Sequence, residues 1–180
     1  MKKYITDTAM KKIERLSEGD KSVPMYQKIL KLSEEAGEVA EAYGDMSFDN
    51  LDSIHEVIEE SCDTINVGLD ILNVYNIQYN IDLMFEAEDY HERGLDENIN
   101  HIASEVGKVC QAFLRVDCAK NVSKSADDGI ENLTFQVFSV INAAHSIIST
   151  IYHEYEVDEN YAEEIFAKKL NKWESKQLNY

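Results

Sequence analysis

The scarcity of helix-breaking residues constrains this chain more than any other feature of its sequence. Its 180 residues include one proline, Pro24, and seven glycines, so long stretches pass without interruption. Within these stretches apolar residues recur at intervals of three and four, which is the spacing of one face of an α-helix. The sequence therefore predicts an all-α fold, a bundle of amphipathic helices with few credible strands.

Turn residues and capping residues divide the chain into seven predicted helices. They cover 3–17, 24–43, 51–75, 79–93, 96–116, 130–154 and 158–176. Pro24 suits the first turn of a helix because its missing N–H needs no partner there, and Gly44 suits the position just after a helix. The predicted N-cap residues of later helices are Asp49 or Asn50, Asp96 and Asp158.

Length and charge limit the classes of protein to which the chain can belong. A chain of 180 residues with 44% hydrophobic residues is expected to form one domain, 1–180, with a sizeable core. It carries 35 acidic and 17 basic residues and a net charge of −18. Such a surface repels nucleic-acid phosphates, so we expect no nucleic-acid polymer as a partner.

The cysteines and the apolar segments indicate the cellular location of the protein. Three cysteines, Cys62, Cys110 and Cys118, form an odd and sparse set, which predicts reduced thiols. The N-terminus lacks the apolar stretch of a secretory signal. No apolar run approaches the roughly 20 residues that are needed to span a membrane. We therefore expect a cytoplasmic protein with no membrane partner.

A faint internal repeat relates the two parts of the chain. The segment LSEEAGEVAEAY at 32–43 aligns with IASEVGKVCQAF at 102–113, an offset of 70. Further on, Ile65-Asn66 aligns with Ile141-Asn142 at an offset of 76. Chance similarity between amphipathic helices is the alternative explanation. We predict two tandem related halves, 1–76 and 77–180.

Two acidic pairs mark the first half. Glu35 and Glu38 lie three residues apart in one predicted helix, and Glu60 and Asp63 lie three apart in the next. Carboxylates at i and i+3 are neighbours on a helix and repel by a few tenths of a kcal/mol. Two antiparallel helices would bring all four together, and a divalent cation would turn this repulsion into attraction. The pattern predicts a Mg²⁺ site, with Mn²⁺ as a possible substitute, whose open positions take triphosphate oxygens. The alternative is two solvated helix faces.

The second half has lost most of these carboxylates. Lys108 stands where the repeat would place Glu38, and Gln136 and Ser139 stand for Glu60 and Asp63. A face that was acidic only for solubility would tend to stay acidic in both copies. We therefore expect one metal site per chain, on the first half.

EEAGEVAEAY followed by EESCDTINVGLDIL resembles the MazG-like, all-α NTP pyrophosphohydrolase superfamily, whose signature is ExxE, a spacer and ExxD. The resemblance implies a bundle that uses Mg²⁺ to cleave a nucleoside triphosphate between its α and β phosphates, giving a monophosphate and pyrophosphate. It implies metal binding by Glu35, Glu38, Glu60 and Asp63. It also implies that a nearby glutamate positions or deprotonates the attacking water, for which we predict Glu34 first and Glu59 second.

The resemblance has departures and implies an oligomer. The segment AKKLNKWESK resembles the basic tail of the family, but Trp173 and Lys176 stand where Asn and Arg are common. The tryptophan-rich pattern of a uracil site is missing, so specificity for dUTP is not supported. Because the superfamily rarely works as a monomer, we expect a homodimer or a higher homo-oligomer.

Four further residues are predicted to bind substrate, each with a structural alternative. Lys31 either meets a phosphate or pairs with Glu35 one turn away. Asn66 either bonds to the sugar or base or is a satisfied buried amide. Lys172 and Lys176 belong to a basic helix end, with Lys168 and Lys169, that either reaches the triphosphate or stays solvated. The candidates for base stacking, or otherwise for core packing, are Tyr43, Phe48, Tyr90 and Trp173.

The sequence thus predicts an NTP pyrophosphohydrolase acting on a nucleoside triphosphate. The alternative is a non-catalytic helical bundle that binds nucleotides or only dimerises. The complete motif of the first half favours the enzyme, and the degenerate second half favours the alternative.

Overall fold

The computed structural model describes residues 4–47, 49–75, 94–117, 126–158 and 160–178. Within these ranges the chain forms six α-helices and no strand, so the all-α prediction is confirmed. The helices are α1 (Asp7–Gly19), α2 (Met25–Asp45), α3 (Leu51–Val74), α4 (Leu95–Asp117), α5 (Ala126–Glu154) and α6 (Tyr161–Gln177). The predicted helix over 79–93 lies outside the described residues.

The ends of the helices agree with the sequence at some positions and differ at others. Asn50 caps α3, with its side-chain oxygen accepting a hydrogen bond from the backbone N–H of Asp52 at 3.0 Å. Gly44 was predicted to follow α2, which is wrong. The last turn closes later, where the backbone N–H of Met46 donates to the carbonyl of Tyr43.

Two predicted N-caps are also wrong. Helix α4 already begins at Leu95, so Asp96 lies in its first turn, where its charge favours the positive end of the helix dipole. The residue before α6 is Asn160, and Asp158 accepts a hydrogen bond from the backbone N–H of Asn160 at 2.8 Å. The Asp158 side chain therefore caps a local turn that ends at Asn160, two residues before the N-cap position would require it.

Helix α3 is the centre of the packing. It contacts α1, α2, α5 and α6, while α4 packs against α2 and α5. The short connection between α2 and α3 makes them antiparallel neighbours. As expected from its sequence, α3 becomes buried on most sides from Ser61 to Leu72, although Asp63 and Val67 stay partly exposed. One acidic edge of α3 therefore adjoins a fully packed segment.

One helix in the described part of the chain meets the length and apolarity of a membrane span. It is the Gly129–Glu154 portion of α5, in which an 18-residue window has a mean hydropathy of 1.2. The expectation that no run is long enough is therefore wrong by this measure. However, 72% of that window is buried against the rest of the fold, as in the core helix of a soluble protein.

The contact between α3 and α5 depends on a glycine, which gives a first prediction. A Cβ added to Gly68 would lie 2.6 Å from Cγ1 of Ile141. Gly68→Ala is therefore expected to destabilise the fold by about 1–3 kcal/mol through overpacking. Gly37→Ala is the matched control, because nothing lies within 4 Å of its added Cβ. It should stabilise by up to about 1 kcal/mol through helix propensity. Urea unfolding measures both, and equal effects would contradict the close approach of α3 and α5.

Candidate functional site

A cleft of about 590 Å³ lies between α2, α3 and α6. Its described lining includes all eight residues predicted to bind metal or substrate, which are Lys31, Glu35, Glu38, Glu60, Asp63, Asn66, Lys172 and Lys176. The two predicted catalytic residues, Glu34 and Glu59, are not among the residues that line it. Residues that are scattered along the chain thus meet around one concave surface.

Three carboxylates in the cleft are close enough to share one ion. Each of Glu35, Glu38 and Glu60 offers an oxygen, and these oxygens lie within 4.8 Å of one another. The i, i+3 spacing puts the first two on one side of α2, and the antiparallel α3 brings the third against them. We call these three residues the carboxylate trio. Among the described residues of the second half no such group occurs.

Asp63, the fourth predicted metal ligand, stands outside the carboxylate trio. Its Oδ2 is ion-paired with Nζ of Lys169 on α6. The same Nζ lies 3.9 Å from Oε2 of Glu59, and the Lys169 side chain is 12% exposed. The sequence reading missed this pair. Its only sequence signal is that Lys169, Lys172 and Lys176 share one face of α6 at helical spacing; we call them the lysine row.

Burial raises the pKa of Glu35 to about 7 and is the largest influence on it. Lys31, whose Nζ lies 2.6 Å from Oε1 of Glu35, opposes this rise in pKa. A hydrogen bond with Glu38 and the charge of Asp63 add to it. The pKa of Glu60 is also raised, first by burial, while Lys169 opposes the rise. The carboxylate trio therefore holds negative charge at a cost that a divalent cation would relieve.

The substrate-binding candidates have different surroundings. Lys31 forms the predicted pair with Glu35 and a second one with Glu34 at 3.2 Å. Asn66 is buried, and in the described part of the chain its Oδ1 has no hydrogen-bond partner.

The candidates for base stacking also differ in position. Trp173 lines the cleft and donates from Nε1 to Oδ2 of Asp20 at 2.6 Å. Tyr43 lies outside the cleft lining and donates to Asp96, while Phe48 and Tyr90 lie outside the described residues.

The two predicted catalytic glutamates are next to the cleft but are not part of its described lining, and each lies near a lysine that is. The Glu34 side chain is 58% exposed, and its Oε1 lies 3.2 Å from Nζ of Lys31. Glu59 accepts a hydrogen bond from the hydroxyl of Tyr161 at 3.0 Å, and the Tyr161 ring stacks on His55 with 3.8 Å between ring centroids. Their catalytic roles stay predictions.

The second half carries its own neutralising contacts at the equivalent position. Glu105, which aligns with Glu35, is buried, and Nζ of Lys108 lies 2.5 Å from its Oε1. The lysine that the predicted repeat aligns with Glu38 thus pairs with the carboxylate that it aligns with Glu35. A single metal site per chain stays a prediction.

Comparison with known proteins adds no identity. No family model matches the chain, and no curated protein or solved structure matches it with significance. Membership of the MazG-like superfamily stays a prediction based on the two acidic motifs. What the site can do must therefore follow from its own geometry.

Proposed function

We propose that this protein is a divalent-metal-dependent nucleoside triphosphate pyrophosphohydrolase of the MazG-like kind. The observation that carries the proposal is that one cleft joins the carboxylate trio to the lysine row and to Trp173. Its volume of about 590 Å³ is within the roughly 300–1,000 Å³ of small-molecule sites. A metal–polyphosphate needs neighbouring regions of both charges, and a chain of net charge −18 places several of its lysines here.

The donor set suits a hard divalent cation. All three trio ligands are carboxylate oxygens, which Mg²⁺ prefers, and Mg²⁺ keeps open positions for water and phosphate oxygens. Glu35, Glu38 and Glu60 would hold the ion. The chemistry that a bound ion supplies is polarisation of a phosphoryl oxygen and a lowered pKa of a bound water.

The chain itself would bind and orient the substrate. Lys172 and Lys176 would pair with phosphate oxygens along α6, and Trp173 offers a ring face at the edge of the same cleft. The buried Asn66 has an unpaired acceptor for a donor on the sugar or base. Net hydrolysis adds one water across the α–β anhydride and yields a monophosphate and pyrophosphate. Glu34, exposed and next to a trio residue, is the first candidate to accept the proton of that water.

The proposal extends to architecture and assembly. Helix pairs α2–α3 and α4–α5 correspond in order to the two tandem halves, and their contacts join them in one bundle. A homodimer, or a higher oligomer, would cover exposed apolar side chains such as Leu30 and Phe135. We propose a cytoplasmic location with reduced cysteines.

Release of pyrophosphate tests the proposed function. Wild-type protein is assayed with a panel of canonical and damaged (d)NTPs and Mg²⁺, and the nucleotide product is identified as the monophosphate. Chelation of the metal should abolish release. Glu38→Ala should lower release by more than about 100-fold, since even an outer partner of a metal site is worth about 10–100-fold.

Glu41→Ala is the matched control, because Glu41 is exposed on the same helix and does not line the cleft. If no nucleotide gives pyrophosphate, the proposed enzymatic activity is wrong. Nucleotide binding without release would favour the non-catalytic nucleotide-binding bundle. Unchanged release by Glu38→Ala would remove the site assignment.

A further inference from the structure

The ion pair of Lys169 with Asp63 puts a cation of the protein where a metal ligand is predicted. Asp63 lines the same cleft as the carboxylate trio, and its charge acts on Glu35. Its own oxygen is nevertheless engaged by Lys169 Nζ. The fourth carboxylate is therefore near the metal centre but kept out of it.

Lys169 is held in this position by the rest of α6. At the start of the helix Tyr161 stacks on His55 and donates to Glu59. Near its end Trp173 donates to Asp20 at 2.6 Å. With only 12% of its side chain exposed, Lys169 differs from the solvated lysines that form weak surface pairs.

A divalent ion and this ammonium compete for the same carboxylate. An ion bound to Asp63 would lie a few ångströms from Lys169 Nζ, and like charges repel strongly in a half-buried site. Asp63 can therefore join the carboxylate trio only when Lys169 has moved. Lys172 and Lys176 follow Lys169 along the cleft, so a phosphate bound there would offer the Lys169 ammonium another partner.

We propose that Lys169 is a positioning residue that acts as an exchangeable counter-ion. In the free protein it holds Asp63 away from the metal. A polyphosphate lying along the lysine row draws the ammonium to a phosphate oxygen and frees Asp63 to bind the metal. This inference rests on the proposed function and adds to it a coupling between metal affinity and nucleotide affinity.

Calorimetric titration with Mn²⁺ in the absence of nucleotide tests the inference directly. Lys169→Met should bind Mn²⁺ about tenfold more tightly than wild type, because the competing cation is gone. Lys168→Met is the control, since Lys168 is the exposed neighbour of Lys169 and is not part of the cleft lining. It should leave the Mn²⁺ affinity within about twofold of wild type. Thermal melting checks that each variant is folded.

A double-mutant cycle then identifies the partner of Lys169. In an Asp63→Asn background the gain from Lys169→Met should disappear, because the lysine acts through that carboxylate. A second titration, with a non-hydrolysable α,β-methylene triphosphate, should raise Mn²⁺ affinity by a larger factor in wild type than in Lys169→Met.

Three outcomes would overturn the inference. Equal Mn²⁺ affinities of Lys169→Met and Lys168→Met would do so, and so would a gain that persists in Asp63→Asn; in both cases pyrophosphate release by wild type would leave the proposed function standing. Absence of Mn²⁺ binding to wild type, with or without the analogue, would remove the metal centre and the proposed function together.

Discussion

Lys28→Ala is expected to lower the free energy of unfolding by about 3–5 kcal/mol, the cost of leaving one member of a buried ion pair alone. Lys28 and Asp70 are 5% and 7% exposed, and Nζ of Lys28 bonds Oδ2 of Asp70. Their contact joins the start of α2 to the end of α3. Because small proteins are stable by only about 5–15 kcal/mol, this one substitution would remove a large share of the total.

Urea unfolding at an unchanged m-value measures the loss. Lys21→Ala is the control, because Lys21 and its partner Glu18 are 42% and 68% exposed and their pair lies at the protein surface. That variant should change stability by at most about 1 kcal/mol. The double variant Lys28→Met/Asp70→Leu should recover most of the loss, because an apolar pair of similar volume replaces both charges. A Lys28→Ala protein as stable as Lys21→Ala would contradict the buried pair.

The loss should depend on pH. Burial raises the pKa of Asp70 above its ordinary value, and Lys28 opposes this rise. Without Lys28 the pKa rises further, so the folded variant binds a proton that the unfolded chain has already released. A raised carboxyl pKa costs stability as pH increases from the unfolded pKa, about 3.9, through the folded one. The defect of Lys28→Ala is therefore expected to be larger at pH 8 than at pH 5.

The sequence was sufficient for features that depend on local spacing. The predicted ranges 24–43 and 51–75 lie close to α2 and α3, because apolar periodicity and the Asn50 cap act within a few residues. The carboxylate trio follows from i, i+3 spacing on two helices joined by a short turn. Both features depend on short stretches of sequence and can be predicted before the fold is known, whereas the separation of Asp63 from the trio could not.

Contacts between distant residues were not readable in this way. Lys169 meets Asp63 across 106 positions of sequence, and Lys28 meets Asp70 across 42. A lysine near the start of a helix is ordinarily solvated, so nothing marks Lys28 as buried. The N-cap predictions for Asp96 and Asp158 were wrong for a similar reason. An aspartate indicates that a turn can form, whereas packing decides at which residue the helix begins.

Glu35→Gln is expected to make the metal-free protein more stable at pH 8 while removing its metal affinity. Burial raises the pKa of Glu35 to about 7, so at pH 8 the folded protein carries a buried negative charge that destabilises it. The folded state binds more protons than the unfolded chain between the ordinary glutamate pKa, about 4.3, and about 7. Wild-type stability therefore falls as pH rises through this window, and glutamine, which does not titrate, removes this fall.

Thermal unfolding in a chelator at pH 5.5 and pH 8 measures the difference. Each kcal/mol of relief corresponds to about 2–4 °C in Tm for a chain of this size. Glu41→Gln, at an exposed position of the same helix, should leave both melting temperatures nearly unchanged. Adding Mg²⁺ should raise the Tm of the wild type and of Glu41→Gln, but not that of Glu35→Gln.

This result would separate a metal centre from a solvated acidic face. On a solvated face, water screens each carboxylate, so replacing one by an amide changes little and gains no more at pH 8 than at pH 5.5. The carboxylate trio instead combines the burial of Glu35 with two further carboxylates within 4.8 Å, a combination that lowers stability and that a bound divalent cation would offset. A gain in Tm accompanied by loss of the Mg²⁺ response would show that the carboxylates lower the stability of the fold in order to bind the metal ion. If Glu35→Gln gains no Tm at pH 8 and keeps its response to Mg²⁺, the carboxylate trio is a solvated acidic face and not a metal centre.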